Sequence, residues 1–225
     1  MSEEQFAALR EQMVLEIAAH AALASPETGR EALDPRVMSA MGKVPRHEFV
    51  PLEVRPFAYL DRPLPIGFDK TISQPFIVAL MTDLLQAGEG DVVLDVGTGL
   101  GYQAAVLAEL GCTVYSMEMI EELARQAMAR LARLGYHRVE VKVGNGRHGW
   151  PAHAPFDRIL VAAAPDLIPA ALINQLRPGG RMVIPAGLSD AQTLMLVEKE
   201  ANGRVRTRDI LAVRFSELDG DDGAT

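Results

Sequence analysis

Apolar residues recur at helical spacing from the start of the chain. Phe6, Leu9, Met13, Ile17 and Ala21 repeat every three or four positions, with Glu3, Glu4, Arg10, Glu11 and Glu16 between them, and this predicts an amphipathic helix laid against a larger body. Ser25 to Arg30 reads as a turn, and Pro35 to Met41 as a second helix ending near Gly42. From Val44 to Pro75 the period is lost. Pro45, Pro51, Pro56, Pro63, Pro65 and Pro75 exclude long helices there and predict an ordered, irregular layer. Phe76 to Leu85 is a predicted helix. Beyond it the pattern alternates, with strands at 92–97, 113–118, 138–143, 156–162 and 181–185 and helices at 100–110, 120–134 and 167–176. Such alternation predicts an α/β fold: a doubly wound, mostly parallel sheet with helices on both faces and ligands at the carboxyl ends of the strands. Two further strand-like runs, Thr193 to Glu198 and Val205 to Phe215, are joined across Ala201-Asn202-Gly203, whose Asn-Gly pair favours a hairpin turn. The chain thus divides into N-terminal helices with an irregular layer (1–75), an α/β core with its C-terminal hairpin (76–218) and a frayed tail (219–225).

Composition narrows the partners. In 225 residues, a net charge of −8 argues against broad binding of nucleic-acid phosphates, which draws on clustered Lys and Arg. The acidic N-terminus lacks the basic and apolar regions of a signal peptide, and no run reaches eighteen apolar residues, so neither export nor a membrane is expected. Cys112 is the single cysteine, set in a strand-like stretch, and reads as a buried small hydrophobe. His20, His47, His137, His148 and His153 are scattered without ligand spacing, so no metal is expected. The cytoplasm is the natural compartment.

The most specific local signal runs from Val92 to Leu107: an apolar strand, three alternate glycines (Gly97, Gly99, Gly101), then a helix. A dinucleotide fingerprint, G-x-G-x-x-G, would place its third glycine at position 102, which is Tyr102. The spacing G-x-G-x-G instead resembles the S-adenosylmethionine loop of class I methyltransferases. Glu118, about twenty residues on at the end of the next strand, suits the hydroxyls of a ribose.

Four more segments join the loop: Val44-Pro-Arg-His-Glu-Phe-Val-Pro51, Leu64-Pro-Ile-Gly67 with Thr71-Ile-Ser-Gln-Pro75, Gly144-Asn-Gly-Arg-His-Gly-Trp-Pro151, and Arg177-Pro-Gly-Gly180. Together they resemble the protein-L-isoaspartate O-methyltransferases, in order and spacing, from about Met38 to Phe215. The resemblance implies a Rossmann-like core and methyl transfer from S-adenosylmethionine, leaving S-adenosylhomocysteine, to the free α-carboxyl of L-isoaspartyl residues in damaged proteins or peptides, by a monomer. It assigns the active-site role to Ser73. It assigns cofactor contacts to Ile72, Gly97, Thr98, Gly99, Gly101, Glu118, Met119, Asn145 and Gly146, and acceptor contacts to Thr71, Ser73, Val213 and Arg214.

The implied chemistry needs little acid or base help. A carboxylate with a pKa of about 4 is ionised at neutral pH and a sulfonium is already an activated methyl donor, so alignment and exclusion of water supply most of the rate. Ser73 fits as a hydrogen-bonding orienter; it also suits a helix N-cap before Gln74-Pro75. Three positions depart from the family pattern. Leu100 stands where a serine is common, Asn145 where an aspartate is common and Ala162 where a threonine is common. These departures leave open a different carboxylate acceptor, or a cofactor-binding module without turnover.

Overall fold

The computed structural model describes residues 1–218; the expectation for 219–225 lies outside them. Helix α1 (Glu3–Leu23) begins at a reciprocal cap, Ser2 Oγ accepting from the Gln5 amide and Gln5 Oε1 from the Ser2 amide. It buries Phe6, Met13, Ile17 and Ala21, whereas Leu9, expected on that face, is 37% exposed. At 100° per residue Leu9 falls on the edge of the stripe, beside His20. The expected turn at 25–30 contains a four-residue helix, α2 (Ser25–Thr28), followed by α3 (Pro35–Lys43).

Within the proline-rich layer two 3-10 turns, Arg46–Phe49 and Leu52–Phe57, are followed by an antiparallel hairpin, β1 (Leu64–Gly67) and β2 (Lys70–Ile72). Leu64 and Ile66 face inward while Pro65 faces solvent. The turn residues Phe68 and Asp69 both take φ of 55°, as a two-residue hairpin turn of the primed type requires.

Helix α4 (Pro75–Leu85) leads into the core: β3 (Val92–Val96), α5 (Tyr102–Glu109), β4 (Thr113–Glu118), α6 (Glu121–Arg133), β5 (Val139–Val143), β6 (Phe156–Val161), α7 (Ala170–Gln175), β7 (Leu176–Ala186), β8 (Gln192–Lys199) and β9 (Val205–Val213). The order across the seven-stranded sheet is β5-β4-β3-β6-β7-β8-β9, with the switch in winding between β3 and β6. Only β8 runs against the others: it pairs antiparallel with β7 and with β9. The expected alternation is therefore present, with α7 shorter than expected because it starts after Pro169. Strand β7 is longer than expected. Leu176 pairs with Phe156 and Arg181 with Arg158, so the Arg177-Pro-Gly-Gly180 stretch bulges out of the ladder.

One hydrophobic cluster joins Met13 and Ile17 of α1, Leu80 and Leu84 of α4, Val106 of α5 and Val183 of β7. The N-terminal helices are thus packed into the body of the sheet. A second cluster on the opposite face holds Leu94, Phe156, Ile159, Leu172 and Trp150.

Candidate active site

At the rim of β3 the chain turns back over Gly97–Gly101. The amides of Gly97 and Thr98 both donate to the Met117 carbonyl, at 2.8 and 3.2 Å, tying the loop to the end of β4. Gly97 has φ of 93°, a conformation that side chains rarely adopt, and lies in van der Waals reach of the Ala162 backbone. At Gly146, beyond β5, a Cβ would overlap the Val96 side chain. The ends of β3, β5 and β6 therefore close on one another with almost no side chain between them. What they leave is a cavity lined by Gly97, Gly99, Glu118, Met119, Gly146 and Ala162, among others, at the switch point where ligands of such sheets bind.

Glu118 is oriented by the backbone on both sides. Its Oε2 accepts from the Gly99 amide at 2.8 Å and its Oε1 from the Ile120 amide at 3.0 Å, and it remains 8% exposed towards the cavity. A carboxylate has capacity for about four hydrogen bonds, so room is left for a vicinal diol. Behind it lies a buried chain: Thr98 Oγ1 and Ser116 Oγ are 2.6 Å apart, and Ser116 Oγ donates to Asp95 Oδ2 at 2.6 Å. Burial, reinforced by the Glu118 charge, outweighs the Ser116 hydrogen bond and pushes the Asp95 carboxyl up to about 7. Among the described residues Asp95 Oδ1 has no hydrogen-bond partner, which agrees with a carboxyl whose charged form is disfavoured by its surroundings.

A second groove opens beside the first, lined by Thr71, Ser73, Gln74, Ala162 and the 211–216 segment. The Ser73 backbone is fixed from behind by Arg46, which is wholly buried and donates from Nη2 to the Ser73 carbonyl at 2.7 Å and from Nε to the Ala58 carbonyl at 2.8 Å. The guanidinium also lies 4.8 Å from the centre of the Tyr102 ring. Burial lowers the Arg46 pKa and raises that of Tyr102 to about 12. Ser73 does not cap α4. The cap residue is Gln74, and the amide of Phe76 is taken instead by Asp61 Oδ1 at 2.8 Å.

The residues expected from sequence converge unevenly. Gly97, Gly99, Glu118, Met119 and Gly146 line the first cavity, and Thr71, Ser73, Val213 and Arg214 line the groove. Ile72 and Thr98 line a smaller space between them, with Ser73 and Leu100. Gly101 is the residue from which α5 starts, and Asn145 Oδ1 accepts from the Arg147 amide at 3.0 Å to open a short 3-10 turn. Leu100 is buried in the main hydrophobic cluster, so its bulk is absorbed by packing. Cys112 is buried as expected, its thiol pushed up to about 12 by burial, which leaves it inert.

Sequence reasoning missed Ala163, the 216–218 segment and His20. Ala163 follows a strand end and so obeys the rim rule already used for the loop. Ser216, Glu217 and Leu218 come after the last strand, where Ala164 donates to the Ser216 carbonyl and Leu218 to the Ala164 carbonyl, both at 2.8 Å. Thr71, Ala162 and Ser216 line both cavities.

Comparison with known proteins gives a consistent picture. A family model described as protein-L-isoaspartate(D-aspartate) O-methyltransferase matches residues 20–222. Protein-L-isoaspartate O-methyltransferase 1 of a Polaromonas species is 64% identical over 219 residues, covering 97% of this chain and 93% of that protein. Protein-L-isoaspartate O-methyltransferase 2 of Syntrophobacter fumaroxidans is 56% identical over 220 residues, covering 97% and 89%. Among solved structures, one described as a protein-L-isoaspartate O-methyltransferase superposes with a TM-score of 0.81 at 28% identity, over 94% of this chain and 66% of that chain. Another, from Plasmodium falciparum in complex with S-adenosyl-L-homocysteine, has a TM-score of 0.73 at 23% identity, over 83% and 91%, and supports the fold.

Proposed function

Because this chain belongs to the protein-L-isoaspartate(D-aspartate) O-methyltransferase family, we infer that its two adjoining cavities divide the reaction between a cofactor side and an acceptor side. The protein is a methyltransferase that uses S-adenosylmethionine to methylate isoaspartyl residues in damaged proteins. When bound, the cofactor supplies a methyl group on a sulfonium, already activated for transfer. The observation that carries the division is that Thr71, Ala162 and Ser216 line both cavities, so an acceptor in one can meet a methyl group presented from the other.

The residues present suit the cofactor. A carboxylate held by two backbone amides, at the edge of a cavity lined by Gly97, Gly99 and Gly146, suits the ribose of an adenosine moiety. Glu118 would take the ribose hydroxyls, while Gly97, Gly99, Met119 and Gly146 would bound the rest. Ile72, Thr98, Gly101 and Asn145 would act at one remove, through the loop and the turn that frame the cavity.

On the acceptor side, Thr71, Ser73, Val213 and Arg214 would hold the peptide, with Ser73 Oγ donating to a carboxylate oxygen and leaving the other free to attack. No residue needs to move a proton, because the acceptor arrives ionised at neutral pH. Catalysis would consist of alignment of oxygen, methyl and sulfur and exclusion of water. Supporting this, Arg46 fixes the Ser73 carbonyl and so limits the positions its hydroxyl can reach.

Incubation with labelled cofactor and an isoaspartyl peptide, beside its aspartyl control, tests the reading. Label in the isoaspartyl peptide alone is expected; equal labelling of both overturns it. We further propose a cytoplasmic monomer that does not engage nucleic acid or a membrane. The net charge of −8 speaks against binding nucleic-acid phosphates, and no described helix is long and apolar enough to cross a bilayer.

A further inference from the structure

The acceptor groove poses an electrostatic problem. Its substrate is a carboxylate, and the chain carries a net charge of −8. Among the described residues that line the groove, none is acidic and two can be cationic: Arg214, which is exposed, and His20, which arrives from α1 and has no place in the motifs of the loop or the Thr71–Pro75 segment.

His20 is held on two sides. Its Nδ1 lies 2.8 Å from Asp61 Oδ2, and its ring stacks on Phe76 with centroids 3.9 Å apart and planes 12° apart. Asp61 is fixed in turn, since Oδ2 also accepts from Gln74 Nε2 at 3.0 Å and Oδ1 from the Phe76 amide at 2.8 Å. With Nδ1 and one ring face engaged, the His20 side chain is still 41% exposed and lines the groove. With Nδ1–H donated to Asp61, the ring has a second donor, Nε2–H, in its imidazolium form. The arrangement is an imidazole on a fixed mount, unlike Arg214 at its exposed strand end.

We propose that His20, oriented by Asp61, is a recognition residue for the acceptor, receiving a carboxylate of the isoaspartyl peptide on Nε2–H. The proposal rests on the assignment of this groove to the acceptor. It adds to that assignment a residue from the N-terminal helix and a reason for Asp61 to face it. Asp61 acts as a positioning residue.

Steady-state kinetics with an isoaspartyl peptide test this. His20→Gln is expected to raise the peptide KM by about tenfold, the effect of losing one charged hydrogen bond, with the change falling on peptide KM rather than on kcat or cofactor KM. His20→Lys, which restores a cation without the ring, is expected to recover part of that loss. An unchanged peptide KM in His20→Gln, or a His20→Lys variant no better than His20→Gln, overturns the proposal. So does a fall in kcat that tracks a lowered melting temperature. Arg214→Ala and Ser73→Ala, measured alongside, separate the two levels: if they alter handling of the peptide while His20→Gln does not, His20 alone is excluded. If none of the three does, the groove assignment itself fails.

Discussion

The two walls of the cleft are built on opposite plans. The wall proposed for the cofactor is made largely of backbone: strand ends of β3, β4, β5 and β6 brought together by sheet register, with Gly97 supplying a positive φ and Gly146 removing a Cβ that would collide with Val96. The wall proposed for the acceptor is made of side chains from segments far apart in sequence, among them His20, Ser73 and Arg214, with Asp61 behind His20. A cofactor of constant shape can be met by fixed main chain. A peptide of varied sequence is better met by side chains that recognise one invariant group and leave the rest open, with main-chain bonds along an extended segment such as the end of β9.

That contrast can be broken on the cofactor side first. Gly146→Ala forces a methyl group onto Val96, and the overpacking is expected to cost about 1–3 kcal/mol of stability together with a loss of cofactor affinity of at least about tenfold. Calorimetric titration of S-adenosylhomocysteine and thermal melting read the two effects. On the other wall, Ser73→Ala is expected to lower kcat/KM for the isoaspartyl peptide by roughly 10- to 100-fold while cofactor affinity changes by less than about twofold. Equal loss of both would erase the distinction between the walls. A smaller effect is expected from Glu118→Gln. It replaces a carboxylate oxygen by an amide nitrogen that cannot accept from both Gly99 and Ile120, and cofactor affinity should fall by about tenfold with peptide KM unmoved.

The smallest effect concerns Asp95, which lies behind the cofactor wall. Its folded-state carboxyl titrates at about 7, above the 3.8 of an ordinary aspartate, so the native state keeps a proton that the unfolded chain releases. Its contribution to stability is present below about pH 4 and is lost as the pH rises through about 7. Asp95→Asn cannot ionise. Its melting temperature relative to the native protein should therefore rise between pH 5 and pH 8, and a constant difference across that range would refute the assignment.

The same contrast decides what sequence could reveal. The rim of the first cavity was legible because its determinants are contiguous: strand, alternate glycines, helix, then an acid at the next strand end. The sheet was legible for a similar reason, since period-two and helical patterns alternate with short connections. The β1–β2 hairpin was not, because its turn uses Phe68 and Asp69 at positive φ where glycine or asparagine would have announced it. Nor was His20, whose partner Asp61 lies 41 positions away and was brought to it by the packing of α1 on α4. The N-cap alternative for Ser73 failed for a related reason: Asp61, distant in sequence, supplies the acceptor that a local serine would have provided.

The lone reversed strand, β8, has a consequence of parity. Two successive reversals, β7 to β8 and β8 to β9, return the chain to its original sense, so β9 ends on the same rim as β3, β4, β5 and β6. One reversal fewer or one more would deliver residues 214–218 to the opposite rim, and both the cleft and the groove would lose a side. The number of strands after β7, a property that no single residue encodes, thus determines whether this sheet can enclose a substrate at all.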